Sequence, residues 1–341
     1  MNYYLSLLIL SFAFFSCKKP VIEEVDKDDP EYIAFRHPSG FPTPVYPIDE
    51  RPINAEKFKL GRELFYSTVL SSDNTISCAT CHAQTHVFAD HNIDLSVGVG
   101  GAVGSRNSPP IFNMAWQPHF MWDGGVNHLE VFSIAPITNP LEMNETMANV
   151  VNKLNASNYW KGRFKTAFGT TNVTDQQLLI ALTQYMLLII SDRSQYDKVI
   201  KGQAVFTAEQ QLGYDIFRQK CASCHTEPMF TDYSFRNTGL DIVSTDEGRF
   251  LITQENSDKG KFKVPTLRNV LLTYPYMHDG RFFTIDQVLE HYNSGVQSHP
   301  NLDPLLQNGI TLSADDKKNL KRFLETLNDY ELIGEKLLSE P

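Results

Sequence analysis

Two five-residue stretches carry the chemistry of this chain: Cys78-Ala79-Thr80-Cys81-His82 and Cys221-Ala222-Ser223-Cys224-His225. Two thiols three residues apart can add to the two vinyl groups of one haem, and the His that follows reaches the iron from the same side of the macrocycle. A redox dithiol or half a zinc site shares the C-x-x-C spacing. Here, however, each motif ends in His, the motif occurs twice, and no further Cys is at hand to complete a four-ligand zinc site. The pattern predicts two covalently bound haem c groups, one on Cys78, Cys81 and His82 and one on Cys221, Cys224 and His225.

The elements that position these motifs follow from capping and periodicity. Asn54 can cap a helix carrying Phe58, Leu60, Leu64 and Phe65, which delivers the chain to the first motif. A capping box, Thr174 to Gln177, opens a helix running from Leu178 to Ile190, read as the closing helix of a first domain. The polar stretch Ser191 to Gln203 reads as a domain boundary. A second capping box, Thr207 to Gln210, opens a helix with Leu212, Ile216 and Phe217 that leads into the second motif. Ser313 to Asp316 caps a last amphipathic helix with Leu320, Phe323, Leu324 and Leu327. No stretch alternates long enough for a substantial sheet, so the fold class is mostly α. The 341 residues, 42% of them hydrophobic, fit two domains better than one.

The chain also repeats itself. Leu60-Gly61 and Leu212-Gly213 precede the two motifs, and Phe88-Ala89-Asp90 and Phe230-Thr231-Asp232 follow them. A gapless match then runs from Pro109 to Glu130 against Pro265 to Asp286, pairing Asn113 with Asn269, Met121 with Met277 and Asp123-Gly124 with Asp279-Gly280. Two duplicated, cytochrome c-like domains, each with one haem, are expected. Duplicates can divide labour, because a filled sixth position suits electron transfer and an open one can bind peroxide. The second half offers Tyr292, His291, Met277 and His278 as sixth ligands, whereas the first half has Pro136 at the position matched to Tyr292. The first haem is the better candidate for an open site. Glu130 is the carboxylate chosen to move protons there.

Upstream, an apolar run from Leu5 to Phe15 ends at Ser16-Cys17, the length of a signal-peptide core rather than a membrane span. Cys17, otherwise unpaired, resembles a lipobox cysteine, so residues 1–17 read as a lipoprotein-type signal peptide and Cys17 as a lipid anchor in the membrane. The acidic and Pro-rich residues 18–49 read as a flexible tether, followed by domains at 50–200 and 201–333. The protein is then exported in a bacterium to the periplasm, where c-type haem is attached. The formal charge of -10 argues against nucleic acid and suits a basic partner such as a small electron carrier. His86, His91, His119, His128 and His299 read as solvated or structural. Trp116 and Trp122 read as packing aromatics, a relay between the haems being the other reading.

From residue 50 to 330 the chain resembles the bacterial di-haem cytochrome c peroxidase family, including its MauG branch. The resemblance rests on both C-x-x-C-H motifs, Ser105-Arg106-Asn107-Ser108-Pro109, Trp122-Asp123-Gly124 with Leu129-Glu130, Asp246-Glu247-Gly248-Arg249, Val264-Pro265-Thr266-Leu267-Arg268-Asn269 and Pro275-Tyr276-Met277-His278-Asp279-Gly280. It implies a peroxidatic haem on His82 and an electron-transfer haem on His225, with Glu130 as the distal acid-base residue. Hydrogen peroxide would be the substrate, and a monohaem cytochrome c or cupredoxin the electron donor. The resemblance also implies a calcium ion held by Asn107, Thr273 and Pro275, and Tyr292 as sixth ligand of the second haem, with Met277 as the alternative. A homodimer is compatible with it.

Three positions depart from the family pattern. Residues 95–105 lack the usual His, so the first haem is expected to be open without reductive activation. Phe120 stands where Gln is usual, and Gly125 where Arg is expected. Two further activities stay in view: a MauG-like oxidase that modifies a partner protein, and a non-catalytic di-haem electron carrier.

Overall fold

The computed structural model describes residues 33–341 apart from 91. The signal peptide, Cys17, residues 18–32 and His91 lie outside the described residues. In the first half the helices are α1 (Ala55–Tyr66), α2 (Cys78–Cys81), α3 (Leu129–Phe132), α4 (Ile134–Thr138), α5 (Met147–Ala156), α6 (Asn158–Phe168) and α7 (Asp175–Met186). The second half carries α8 (Gln195–Ile200), α9 (Ala208–Lys220), α10 (Phe250–Thr253), α11 (Ile285–Glu290), α12 (Ala314–Glu325) and α13 (Tyr330–Ile333). A two-stranded antiparallel ribbon, β1 (Phe235–Arg236) with β2 (Phe262–Lys263), pairs Phe235 with Lys263 and Arg236 with Phe262. The architecture is mostly helical, as the sequence implies.

The caps read from the sequence are present. The Asn54 side chain accepts from the Lys57 N–H at 3.0 Å, and reciprocal capping boxes open α7, α9 and α12. Each half is built on one close helix crossing with a glycine at the contact. A Cβ on Gly61 of α1 would fall 1.8 Å from the Ala181 carbonyl oxygen of α7. On Gly213 of α9 it would fall 2.0 Å from that of Asn319 in α12. Only a residue without a side chain lets these backbones approach so closely. The helix before each haem motif is fixed in this way.

The duplication is written in the backbone. Asn113 (φ 55) and Asn269 (φ 58), Met121 (φ 65) and Met277 (φ 70), and Gly124 (φ 69) and Gly280 (φ 70) share left-handed conformations. Single bridges join Phe120 to Val126 and Tyr276 to Phe282. Two hydrophobic cores result. One contains Phe58, Leu64, Phe65, Leu182 and Tyr185, and the other Phe217, Phe230, Leu320, Phe323 and Leu327.

Four boundaries differ from the sequence reading. Helix α7 stops at Met186 rather than Ile190, because Ile189 and Ser191 leave the helix to bond Asn113, through the Asn113 N–H (2.8 Å) and the Asn113 Oδ1 (2.9 Å). Residues 33–49 are not a tether: Phe35 and Phe41 pack on Trp116, whose Nε1–H donates to the Pro42 carbonyl at 2.8 Å. The stretch Ser191 to Gln203 is no linker either. Ser191, Asp192 and Ser194 are buried, and α8 forms within it. Finally, the chain beyond Asp329 returns to the first core, where the Tyr66 and Tyr185 hydroxyls donate to the Leu338 carbonyl at 2.9 and 2.7 Å.

Candidate active site

One turn of helix, α2, brings Cys78 and Cys81 to one side, and the His82 N–H donates to the Cys78 carbonyl at 2.9 Å. His82 Nδ1 lies 3.1 Å from the Phe88 carbonyl oxygen. A proton on Nδ1 satisfies that contact and leaves Nε2 as the nitrogen free to ligate. In front of it lies a cavity of about 330 Å³ whose wall includes Cys78, Cys81, His82, Phe132, Pro136 and Met186. This falls in the range of roughly 300–1,000 Å³ typical of ligand and cofactor pockets. Burial lowers the His82 pKa and keeps the ring neutral, as a ligand must be.

The second motif repeats the device. The His225 N–H donates to the Cys221 carbonyl at 3.0 Å, and Nδ1 lies 3.2 Å from the carbonyl oxygens of both Phe230 and Pro265. None of the four motif cysteines forms a disulfide. Burial pushes Cys78 and Cys221 up to about 12 and Cys81 to about 11. Among the described residues no cluster of three or more His, Cys, Asp or Glu could hold a metal ion. Paired thiols beside a ring with a free Nε2 fit covalently attached haem.

Two of the four sixth-ligand candidates of the second half, His278 and His291, have other partners. His278 stacks on Phe262 with ring centroids 3.7 Å apart, and His291 Nε2 lies 2.9 Å from the Thr238 carbonyl. Tyr292 sits in a π-helical turn, His291–Gly295, near the second cysteine pair; burial first, then Cys224 and Cys221, push its phenol pKa upward. Such turns recur at functional sites. Pro136, the matched position of the first half, lies in the wall of the His82 cavity.

Glu130, expected over that cavity, is not in its wall. Its carboxylate is paired with Arg51 and lies beside Tyr46, whose phenol is pushed up to about 12 by burial and by Glu130. Phe132 and Ser133, two and three residues further on, line the cavity instead. Two carboxylates do line it: Asp123, which is held by Arg106, and Glu142, which accepts from the Asn139 amide at 2.7 Å and whose pKa is raised by burial. Sequence reasoning missed Glu142 because it has no partner in the repeat and stands in an unremarkable loop.

Asn107 is buried on the turn that meets the second half. Its N–H donates to the His278 carbonyl at 2.7 Å, and its carbonyl accepts from the Trp122 indole at 2.8 Å. Thr273 and Pro275 lie on the segment leading into His278. Arg106, beside Asn107, joins Asp123 (2.5 Å) of the first half to Asp246 (2.6 Å) of the second. Trp122, rather than Trp116, contributes to the wall of the His82 cavity and also to that of a smaller cavity of about 60 Å³ on the way to the second motif.

A duplicated helical chain with two Cys-x-x-Cys-His motifs, the first opening on a cavity, fits a di-haem c-type oxidoreductase. Residues 55–205 match the model of the di-haem cytochrome c peroxidase family. The chain is 32% identical to the methylamine utilization protein MauG of Methylorubrum extorquens, over 93% of this chain and 91% of that protein. It is 33% identical to the cytochrome c551 peroxidase of Nitrosomonas europaea, over 72% and 76% respectively. A solved MauG-like protein associated with microbial copper homeostasis superposes with a TM-score of 0.82 at 30% identity, covering 91% of this chain and 99% of that one. The chain belongs to the di-haem cytochrome c peroxidase family and is an oxidoreductase of the peroxidase type. The family implies two haem c groups, hydrogen peroxide as substrate and a small electron donor.

Proposed function

We propose that the chain reduces hydrogen peroxide to water with electrons that enter from a small donor protein at the haem of Cys221, Cys224 and His225 and are used at the haem of Cys78, Cys81 and His82. Two cytochrome c-like units would carry them, the first taking in residues 33–49 and the chain beyond Asp329. The carrying observation is an asymmetry between the halves. A cavity of about 330 Å³ with Pro136 in its wall fronts His82, whereas at the matched position a buried Tyr292 lies near the cysteines of the second motif.

Haem, when bound, supplies an iron that can take up peroxide and exchange electrons. His82 and His225 would hold it by Nε2, each ring oriented by the carbonyl at its Nδ1. Tyr292, with Met277 as the alternative, would complete the second site. Cleaving the O–O bond requires a proton to move from one oxygen to the other, and Glu130 is assigned this task as base and then acid. Arg51 and Tyr46 hold its carboxylate outside the cavity wall, two and three residues before Phe132 and Ser133, so the task requires the carboxylate to leave Arg51 and turn to the cavity. Asn107, Thr273 and Pro275 would hold calcium beside the contact between the halves. A lipid anchor at Cys17 would keep the protein at the membrane in the periplasm.

Replacing Glu130 by Gln tests the assignment: peroxide turnover should fall at least ~10²-fold with both haems still bound. Unchanged turnover would remove Glu130 from the mechanism. Tyr292 and the similarity to MauG favour a second reading, a MauG-like oxidation of a partner protein. Steady-state turnover with a small reduced cytochrome separates the two, because such an oxidase should oxidise that cytochrome poorly.

A further inference from the structure

Lys263 occupies an unusual place for a cation. It belongs to β2, two residues before Pro265, whose carbonyl lies 3.2 Å from the Nδ1 of His225. Its N–H donates to the Trp122 carbonyl at 2.7 Å, and its amine Nζ donates to Gln117 Oε1 at 2.9 Å and to the His119 carbonyl at 2.8 Å. The residue is half-buried, with part of its surface on the cavity of about 60 Å³ that it shares with Pro109, Trp122 and Pro265. Pro109 and Trp122 also line the His82 cavity. Lys263 thus lines a cavity whose wall shares Pro109 and Trp122 with the His82 cavity and includes Pro265, the residue in contact with His225.

No carboxylate pairs with it. Among the described residues no ion pair within 4.0 Å involves Lys263. The nearest anion facing it, Asp123, is held by Arg106 at 2.5 Å. The other charged or titratable groups around this seam are Asp246, which also binds Arg106, and Arg249, whose guanidinium donates to the Asp123 and Gly124 carbonyls. His119 carries a buried Nδ1 without a partner, and Tyr233 lies in the same cavity wall. Two acceptors match the two N–H bonds of a neutral amine and leave one N–H of an ammonium unused. Burial agrees, lowering the Lys263 pKa to about 7.

We propose that Lys263 links proton uptake to electron passage between the two haem sites: Nζ gains one proton from solvent when an electron from the donor protein enters the pair, and returns it when that electron leaves. The inference rests on the di-haem reading above. The coupling is reciprocal, since an ammonium stabilises an electron nearby and the electron stabilises the ammonium to the same extent. Charge is balanced at each step, one proton for one electron, the reductant being the donor protein. Lys263 is therefore a tuning residue, placed by Gln117 and the His119 carbonyl, and touches neither peroxide nor iron.

The test is a reductive potentiometric titration of the full-length protein with both haems attached, followed optically and by EPR across neutral pH. In the parent the midpoint potential of at least one haem should fall as pH rises through about 7 and level off above it. Lys263→Gln should lose that dependence. Gln117→Glu supplies a carboxylate to Nζ, holds the proton longer, and should move the sloping region to higher pH. A flat parent profile, a slope retained in Lys263→Gln, or an unmoved slope in Gln117→Glu, each with two haems per chain, overturns the proposal. Fewer than two haems per chain would sink the di-haem reading itself, and this inference with it.

Discussion

Glu130 and Glu142 stand twelve residues apart (142 − 130) and meet opposite surroundings. Glu130 points at a half-exposed Arg51, whereas Glu142 is enclosed in the wall of the His82 cavity with only the Asn139 amide to stabilise its charge. Burial raises the folded-state pKa of Glu142 above its unfolded value. Between those two values the folded chain binds more protons than the unfolded one, so stability falls as pH rises through that window. Glu142→Gln keeps an oxygen for Asn139 to donate to and removes the charge. The variant should therefore be more stable than the parent to chemical denaturation at pH 7 and indistinguishable from it at a pH low enough to protonate Glu142. At this scale the sequence was most readable where chemistry demands a fixed spacing, as in the two haem motifs. It was least readable where a side chain turns aside: nothing local to Leu129-Glu130 announces that Arg51, 79 residues upstream (130 − 51), takes its carboxylate.

The helices were legible because their ends carry local chemistry. Thr174, Thr207 and Ser313 cap helices where the sequence placed them, since a cap depends on three or four neighbouring residues. The end of α7 was not legible. Leu187 to Ile190 continue an apolar run, but the chain leaves the helix to meet Asn113, and a contact so distant in sequence leaves no mark on the run itself. The repeated Leu-Gly pairs have a sharper meaning as elements. Ala at Gly213 would set a methyl 2.0 Å from the Asn319 carbonyl oxygen and must push α9 from α12. A loss of about 1–3 kcal/mol is expected, as for an overpacked core. Gly162, in the middle of α6, has nothing within 4 Å of an added Cβ. Gly162→Ala should instead stabilise by up to about 1 kcal/mol through helix propensity. Equal denaturation midpoints for these two variants would refute the close-crossing account.

The duplicated halves are held as one body by polar groups that a domain boundary would not bury. The two matched asparagines meet at Ser191: Asn113 Nδ2 donates to its carbonyl at 3.0 Å, and Asn269 Nδ2 to its hydroxyl at 2.9 Å. Arg268, fully buried, makes a two-pronged bond to Asp197 at 2.9 Å and lies over Phe41 of the first core (4.8 Å) and Phe230 of the second (5.6 Å). The polarity of Ser191 to Gln203 suggested a linker because composition reports polar character but not whether each polar group finds a partner. Once partnered, the same residues form an internal seam. Arg268→Met would strand the buried Asp197 carboxylate and free Phe41, so it should cost about 3–5 kcal/mol. Arg322→Met, which breaks an exposed pair with Glu325, should cost well under about 1 kcal/mol. The seam also fixes how the loss appears. Because Arg268 touches both cores, calorimetry of Arg268→Met should show the transition moving down as a whole. A shift confined to one of two resolved transitions would mean that the halves unfold independently and that the seam does not couple them.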